Sequence, residues 1–109
     1  MFKLVTNRVV KNWPATIKLA ADNGDTETHN ITLDIEILPT DEFARYSKRG
    51  DEAFFKKAIK GWSGVADEHG EPLPFNADTV TAASRHPSFT AAALTAYLDA
   101  AQGKAATKN

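Results

Sequence analysis

Residues 15–37 read ATIKLAADNGDTETHNITLDIEI, and this stretch decides the fold because it encodes two strands and the turn between them. In residues 31–37 isoleucine and leucine alternate with polar side chains, a period of two that places one side of a strand on a core and the other in water. Residues 15–21 alternate in the same way. Asn23-Gly24 is typical of a tight turn, because both residues accept a positive φ. We therefore predict an antiparallel hairpin.

The residues before the hairpin leave the number of strands open. Residues 2–10 carry a further extended pattern, and Trp13-Pro14 is expected to close it because proline cannot donate to a sheet ladder. The sheet is then either a two-stranded hairpin or a three-stranded meander. Pro39 is expected to end this β front, which covers residues 1–39.

Helix signals begin directly after the sheet. Thr40 is predicted as the N-cap of a first helix. The break at Gly50 is followed by Asp51, which is predicted to cap a second helix that runs to about Lys60. Gly61 has the position of a left-handed residue that ends this helix.

Two further helices are expected in the last third of the chain. Asn76 is predicted as an N-cap, and the spacing of Phe75 and Val80 is that of a hydrophobic staple. The last helix is predicted over residues 88–101, with Gly103 as its stop.

These elements predict an α+β fold: an N-terminal antiparallel β-hairpin or three-stranded meander followed by three to four α-helices. A chain of 109 residues is expected to form a single domain. This domain is expected to cover residues 1–103, with a helical back at 40–103. Residues 104–109 are expected to form a flexible C-terminal tail.

Composition excludes several classes of function. The net charge is −1 and there is no cysteine, so we expect neither a general attraction to nucleic acid nor a thiolate metal site. No apolar run approaches the length of a membrane span, and the first residues lack the pattern of a signal peptide. The three histidines have no matching ligands at metal-site spacing. We therefore expect no catalytic residues, no cofactor and no metal, and a protein that is not an enzyme.

One concentration of positive charge supports an alternative function. It consists of Arg45, Lys48, Arg49, Lys56, Lys57 and Lys60. Aromatic residues between them make a small nucleic-acid-binding module conceivable, with the basic face at Arg45 to Lys60 as its contact surface. Acidic residues among them are more typical of the solvated side of an amphipathic helix.

Residues 59–75 read IKGWSGVADEHGEPLPF and form the most specific motif of the chain. Trp62 lies between Gly61 and Gly64, and an acidic turn with its own glycine follows. These residue types are typical of a rigid connector with an aromatic anchor, not of a catalytic device. Whether Trp62 belongs to the core or to a contact surface is left open.

With the Phe54-Phe55 pair before it and Asn76 after it, this motif resembles the tail assembly chaperones of long-tailed bacteriophages and prophages. The last helix with Tyr97 and the ending Lys108-Asn109 extend the likeness. The resemblance implies a protein that binds the long, largely helical tape-measure protein during tail assembly in the bacterial host cytoplasm and is absent from the mature virion. It implies no catalytic residues.

The resemblance also implies further partners. Many such proteins exist as two forms, and the longer one, made by ribosomal frameshifting, recruits major tail (tube) protein. Self-association into a homo-oligomer is common among them. Nucleic acid and membrane are not expected as partners.

The aromatic content indicates where such a partner would bind. Eight of the ten aromatic residues lie from Phe43 onward, more than a small core accommodates easily, although all of them being buried is the open alternative. The predicted partner-binding residues are Phe55, Trp62, Leu94, Tyr97 and Leu98.

Overall fold

A computed structural model describes residues 1–105 and has the predicted α+β fold. The strands are β1 (Arg8–Ala20), β2 (Thr26–Ile37) and β3 (Ile59–Ser63), and the helices are α1 (Thr40–Lys48), α2 (Asp51–Ala58), α3 (Ala77–Ala83) and α4 (Pro87–Ala101). The strands form one antiparallel sheet in the order β1-β2-β3. Of the tail predicted to be flexible, residues 106–109 lie outside the described residues.

The hairpin is confirmed. Between β1 and β2 the chain makes a short 3-10 turn in which Asn23 has φ 62° and Gly24 has φ 79°. Ala15 pairs with Ile31, so the two predicted apolar faces coincide on one side of the sheet. The turn residues therefore set the register that the alternating pattern requires.

The first strand is longer than predicted, because residues before and after Trp13 belong to one strand. A bulge between Val10 and Trp13 joins the two parts. At the bulge Asn12 has φ 54° and its backbone N–H donates to Asp34 Oδ1 at 2.9 Å. The prediction that Trp13-Pro14 closes a separate strand is wrong, because β1 lies at the edge of the sheet, where proline is tolerated.

The third strand comes from the motif around Trp62 and not from residues 2–10. Trp62 pairs with Leu33, and Gly61 pairs with Asp34. A Cβ atom at Gly61 would lie 2.7 Å from Asp34 Oδ2, so a side chain at this position would displace the end of the Asp34 side chain. The prediction of Gly61 as a left-handed helix end is wrong, and the region assigned to the helical back contributes a strand to the sheet.

The ends of α1 and α2 differ from the predictions by one or two residues at three positions. Pro39 and Gly50 occupy the N-cap positions predicted for Thr40 and Asp51, and α2 ends at Ala58. The break at Gly50 is confirmed, with φ 106° at this residue. The extended pairing of β3 begins directly at the end of α2, and this pairing takes the place of a final helical turn.

The two C-terminal helices agree more closely. Asn76 is the N-cap of α3 and forms a reciprocal capping box with Thr79, whose backbone N–H donates to Asn76 Oδ1 at 2.9 Å. Pro87 is the first residue of α4, where its missing N–H costs nothing. Gly103 has φ 72°, as a residue just beyond a helix end requires.

The core lies between one face of the sheet and the helices. Leu33 and Ile35 of β2 are fully buried at its centre. Around them pack Phe54 and Phe55 of α2 and a row of small and aromatic side chains on α4. The sheet is thus covered on its apolar face, as the period of two predicts.

Candidate partner-binding surface

Two of the five residues predicted to bind a partner are buried. Phe55 is 1% exposed and Tyr97 is 3% exposed. The prediction that they form an exposed surface is wrong, because α2 and α4 turn these rings toward the sheet.

Phe55 belongs to an aromatic cluster inside the core. Its ring centroid lies 5.3 Å from that of Phe54 and 6.1 Å from that of Phe89. The first pair is tilted and the second is edge to face, and aromatic contacts of these kinds add to the stabilisation from burial alone. The Phe54-Phe55 pair therefore joins α2 to α4.

Tyr97 holds α4 to the end of β2. Its ring stacks on Phe43 at 5.4 Å, and its hydroxyl oxygen accepts a hydrogen bond of 3.1 Å from the backbone N–H of Leu38. Burial raises the pKa of Tyr97 above its ordinary value; the Leu38 hydrogen bond opposes this rise and the charge of Glu36 adds to it.

Replacing Tyr97 by phenylalanine is expected to lower the free energy of unfolding by about 1–3 kcal/mol, because the buried N–H of Leu38 loses its acceptor. The raised pKa gives this loss a pH dependence. The native state holds the phenolic proton more tightly than the unfolded chain, so wild-type stability is intact below the ordinary pKa of 10.0 and falls as the pH rises through the raised value. The difference between the two proteins in urea denaturation should therefore shrink in this alkaline range. A difference that stays constant there would contradict this account.

Trp62 is half-buried and fastens the connector to the sheet. Its indole N–H donates to the carbonyl oxygen of Leu73 at 2.9 Å. The ring meets Phe75 edge to face at 5.1 Å and Phe89 at 6.0 Å. Trp62 therefore has a structural role, which the sequence left open, and only part of its ring is available to a partner.

The acidic turn in the connector is held by its own side chain. Asp67 Oδ1 accepts hydrogen bonds from the backbone N–H groups of His69 at 2.9 Å and Glu71 at 3.0 Å. Gly70 has φ 82° and completes the turn. A carboxylate that satisfies backbone donors in this way is typical of loop structure.

Leu94 and Leu98 are exposed on α4, at 40% and 37% respectively. Ala91 and Ala101 are exposed on the same side of the helix. The four residues are spaced three, four and three positions apart, the spacing of apolar positions in a coiled coil. We call Ala91, Leu94, Leu98 and Ala101 the α4 seam.

The α4 seam lies beside the side of the helix that faces the core and is separate from it. The buried residues of α4 are Phe89, Ala93, Ala96, Tyr97 and Ala100. At 3.6 residues per turn the seam occupies an arc of about 80° that does not overlap theirs. A helix that is apolar on both sides is usually buried on both sides, so the outer side of α4 suits a partner.

The apolar residues of α4 are evident in the sequence. An apolar arc on a helical wheel, however, does not separate the side that meets the core from the side that meets water. The four-residue spacing of Leu94 and Leu98 is visible in the sequence. The position of the sheet, which selects the inner side, is not.

Several lysines of the basic face predicted as the alternative site form ion pairs with carboxylates of the same chain. The Nζ atoms of Lys57 and Lys60 lie 3.6 Å and 3.2 Å from the carboxylate of Glu36, which is buried. Lys56 lies 3.7 Å from Glu52. These pairs reduce the positive charge that is free for phosphate groups, so the arrangement lends nucleic-acid binding less support than the sequence did.

The guanidinium groups of Arg45 and Arg49 flank one aromatic ring. Each lies 5.5 Å from the ring centroid of Tyr46. This geometry is that of a cation–π contact. Tyr46 is thus covered by cations of its own helix region instead of being presented to a base.

Within residues 1–105 no group of three or more His, Cys, Asp or Glu side chains is arranged to hold a metal ion. Over the same residues no helix has the length and apolar character that crossing a membrane requires.

Compared with protein-family models, with curated proteins and with solved structures, the chain gives no match. The resemblance to tail assembly chaperones therefore rests on the sequence pattern alone.

Proposed function

We propose that the protein is a phage tail assembly chaperone, which binds the tape-measure protein during tail assembly in the host cytoplasm and is absent from the mature virion. The observation that carries the proposal is the α4 seam, an apolar stripe at coiled-coil spacing on the outside of the longest helix. The resemblance of residues 59–75 names the partner, and the seam supplies a surface of the right shape.

The seam suits a helical partner. Its spacing matches the contact line of a second helix, and the alanines at its two ends allow close approach of the two backbones. The tape-measure protein of such phages is long and largely helical, as the resemblance implies. An unpaired apolar stripe on such a helix would aggregate, and the seam covers it.

The shortness of the seam implies that several copies bind one partner helix. From Ala91 to Ala101 it spans about 15 Å, and it has only two large side chains. Leu94 and Leu98 are already more than half buried, so each adds less than the roughly 1.5–3 kcal/mol of a fully buried leucine. A single copy therefore binds weakly, and several copies along one helix bind strongly.

The proposal extends to the gene. A longer, frameshifted form would recruit the major tail protein, and Lys108-Asn109 is a pair that a slippery adenine-rich run can encode. The nucleotide sequence near the stop codon tests this extension separately. A plain stop without an overlapping reading frame removes the longer form and leaves the binding of the tape-measure protein in place.

Changing Leu94 and Leu98 together to serine is expected to weaken binding to a tape-measure fragment by about tenfold, or about 1.4 kcal/mol. The soluble fraction of co-expressed tape-measure protein should fall accordingly. Val9→Ser is the matched control, because Val9 is 38% exposed but lies on the sheet edge.

Both variants should keep the circular dichroism spectrum of the wild type. Unchanged solubility of the tape-measure protein with the folded double variant would overturn the role of the seam. Binding should also depend little on salt, whereas binding of an oligonucleotide by the basic face would fall steeply as salt rises. A steep salt dependence would favour the alternative function.

A further inference from the structure

A groove of about 740 Å³ lies where the turn end of the hairpin meets the connector and the corner between α3 and α4. Its apolar wall is formed by side chains from all three regions: Ile17, Leu19, Ile31, Val65, Leu73 and Phe89. We call it the corner groove. Its volume is in the range of clefts that hold a ligand or a short peptide. The α4 seam does not line it, so the two surfaces are separate.

One edge of β2 is open beside the corner groove. β3 pairs with β2 only from Thr32 to Ile35, and the chain bends away at Gly64, where φ is 84°. Among the strands of residues 1–105, only β1 lies next to residues 26–29 of β2. These four residues are exposed, and their other edge has no strand beside it. An open sheet edge next to an apolar groove suits an extended peptide that binds as an added strand.

The side chains of β2 that face the groove change from apolar to acidic toward the hairpin turn. His29 lines the groove, and alternation along the strand places Ile31 and Glu27 on the same face. The pairing agrees with this, because Glu27 is opposite Leu19 of the apolar wall. The carboxylate of Glu27 lies 2.7 Å from Nε2 of His29 and is exposed.

The connector adds negative charge across the groove. Asp67 and Glu68 line it, and among the described residues that do so there is no lysine or arginine. The Glu68 side chain is 87% exposed, so its charge is accessible to a ligand. Lys18 is next to Leu19 in β1, and alternation places it on the opposite face of the sheet. The groove side of the hairpin end is therefore acidic, and the other side carries a cation.

We propose that the corner groove binds an extended segment of a partner protein, which pairs with residues 26–29 as a strand added to the open edge of β2. The segment has the pattern apolar-x-apolar-x-basic, where x is an uncharged polar residue, because alternate side chains of a strand share one face. The apolar side chains lie against the wall of the groove, and the basic one lies beside Glu27 and faces Glu68. The added strand is antiparallel to β2, as β1 and β3 are, so the basic residue comes last, at the turn end.

The probe is the synthetic peptide acetyl-Leu-Thr-Leu-Thr-Lys-amide, added to the full-length chain and followed through the NMR signals of the backbone amides. We expect shifts at residues 26–29 and at Glu68, and none at the α4 seam. Acetyl-Leu-Thr-Leu-Lys-Thr-amide is the matched control, because moving the lysine by one position turns it to the face of Lys18. It should bind about fivefold more weakly. Shifts confined to other residues, or equal affinity of the two peptides, would overturn the proposal.

Backbone methylation of the probe tests the strand pairing itself. In a strand added to a sheet edge, every second backbone N–H points to that edge and the others point away. One derivative carries N-methyl groups on its two threonines, and the other carries them on its second leucine and its lysine. Only one of the two should lose binding. If both bind like the probe or both fail to bind, the segment does not pair with β2 and the proposal is wrong.

Variants of the protein test the two kinds of contact. Leu19→Ser/Glu68→Lys should weaken binding of the probe by about tenfold. The core stays intact, because Leu19 is 36% exposed and the Glu68 side chain is 87% exposed, and circular dichroism checks this. Glu71→Lys is the matched control, because Glu71 is exposed on the same connector and does not line the groove. Equal affinities of the two variants would contradict the groove as the site.

Two further measurements separate this site from other surfaces. Leu94→Ser/Leu98→Ser should bind the probe like the wild type, whether or not it binds the tape-measure protein, so the two proposals fail independently. Loss of probe binding in this variant would move the site to the α4 seam and overturn the inference. Light scattering should give Leu19→Ser/Glu68→Lys the same molar mass as the wild type. A lower mass would make the groove a contact between copies and overturn the inference as well.

Discussion

Phe55→Ala is expected to lower the free energy of unfolding by about 3–5 kcal/mol. The side chain is 1% exposed and lies between the rings of Phe54 and Phe89, so its removal leaves a cavity that rigid neighbours cannot fill. A domain of this size has a total stability of about 5–15 kcal/mol, so the variant should be partly unfolded at moderate temperature. Urea denaturation followed by circular dichroism measures the change.

Leu98→Ala is the matched comparison for this experiment. Leu98 is also a large apolar residue, but it is 37% exposed on the α4 seam. Its replacement should cost about 1 kcal/mol or less, because little packing is lost. Equal losses for the two variants would contradict the core position of Phe55 and return it to the set of surface candidates.

The second large loss of stability is expected when the ion pairs of Glu36 are removed. Changing Lys57 and Lys60 together to methionine is expected to destabilise the protein by about 3 kcal/mol, because a buried carboxylate loses both of its cations. Glu36 is 4% exposed, so water does not replace them. The two lysines lie at the junction of α2 and β3, and the pairs tie this junction to β2.

The cause of this loss can be isolated by a third substitution. Adding Glu36→Gln to the double variant removes the uncompensated charge and should restore most of the lost stability. Lys56→Met serves as the control, because Lys56 and Glu52 form an exposed pair worth about 0.5 kcal/mol or less. A triple variant no more stable than the double variant would show that the lysines act by packing, not by charge.

The parts of the fold that the sequence predicted well are those with local causes. Asn23 and Gly24 make the hairpin turn because their own backbones accept positive φ. Asn76 caps α3 through a hydrogen bond to a residue three positions away. Such signals are complete within a few residues, so no knowledge of the remaining chain is needed.

The parts that the sequence did not predict depend on distant partners. Gly61 has the local pattern of a helix end, yet its position opposite Asp34 makes it part of a strand. Trp13-Pro14 has the local pattern of a strand end, yet the bulge at Asn12 carries the strand through it. In both cases a contact with β2, more than twenty residues away, outweighs the local preference.

The candidate surface shows the same division. From the sequence alone, Phe55, Tyr97, Leu94 and Leu98 belong to one class, large apolar residues on helices. Tertiary packing buries the first two and exposes the last two.

By itself, the sequence determined the α+β class, the hairpin and the capping of α3. Alternation, capping and turn preferences act over a few residues and depend only on neighbouring side chains. Only the tertiary structure decided that the Trp62 motif forms the third strand, that Phe55 and Tyr97 are core, and that the α4 seam faces outward. These outcomes depend on which helix side meets the sheet, and burial against a distant surface is a property of the whole chain.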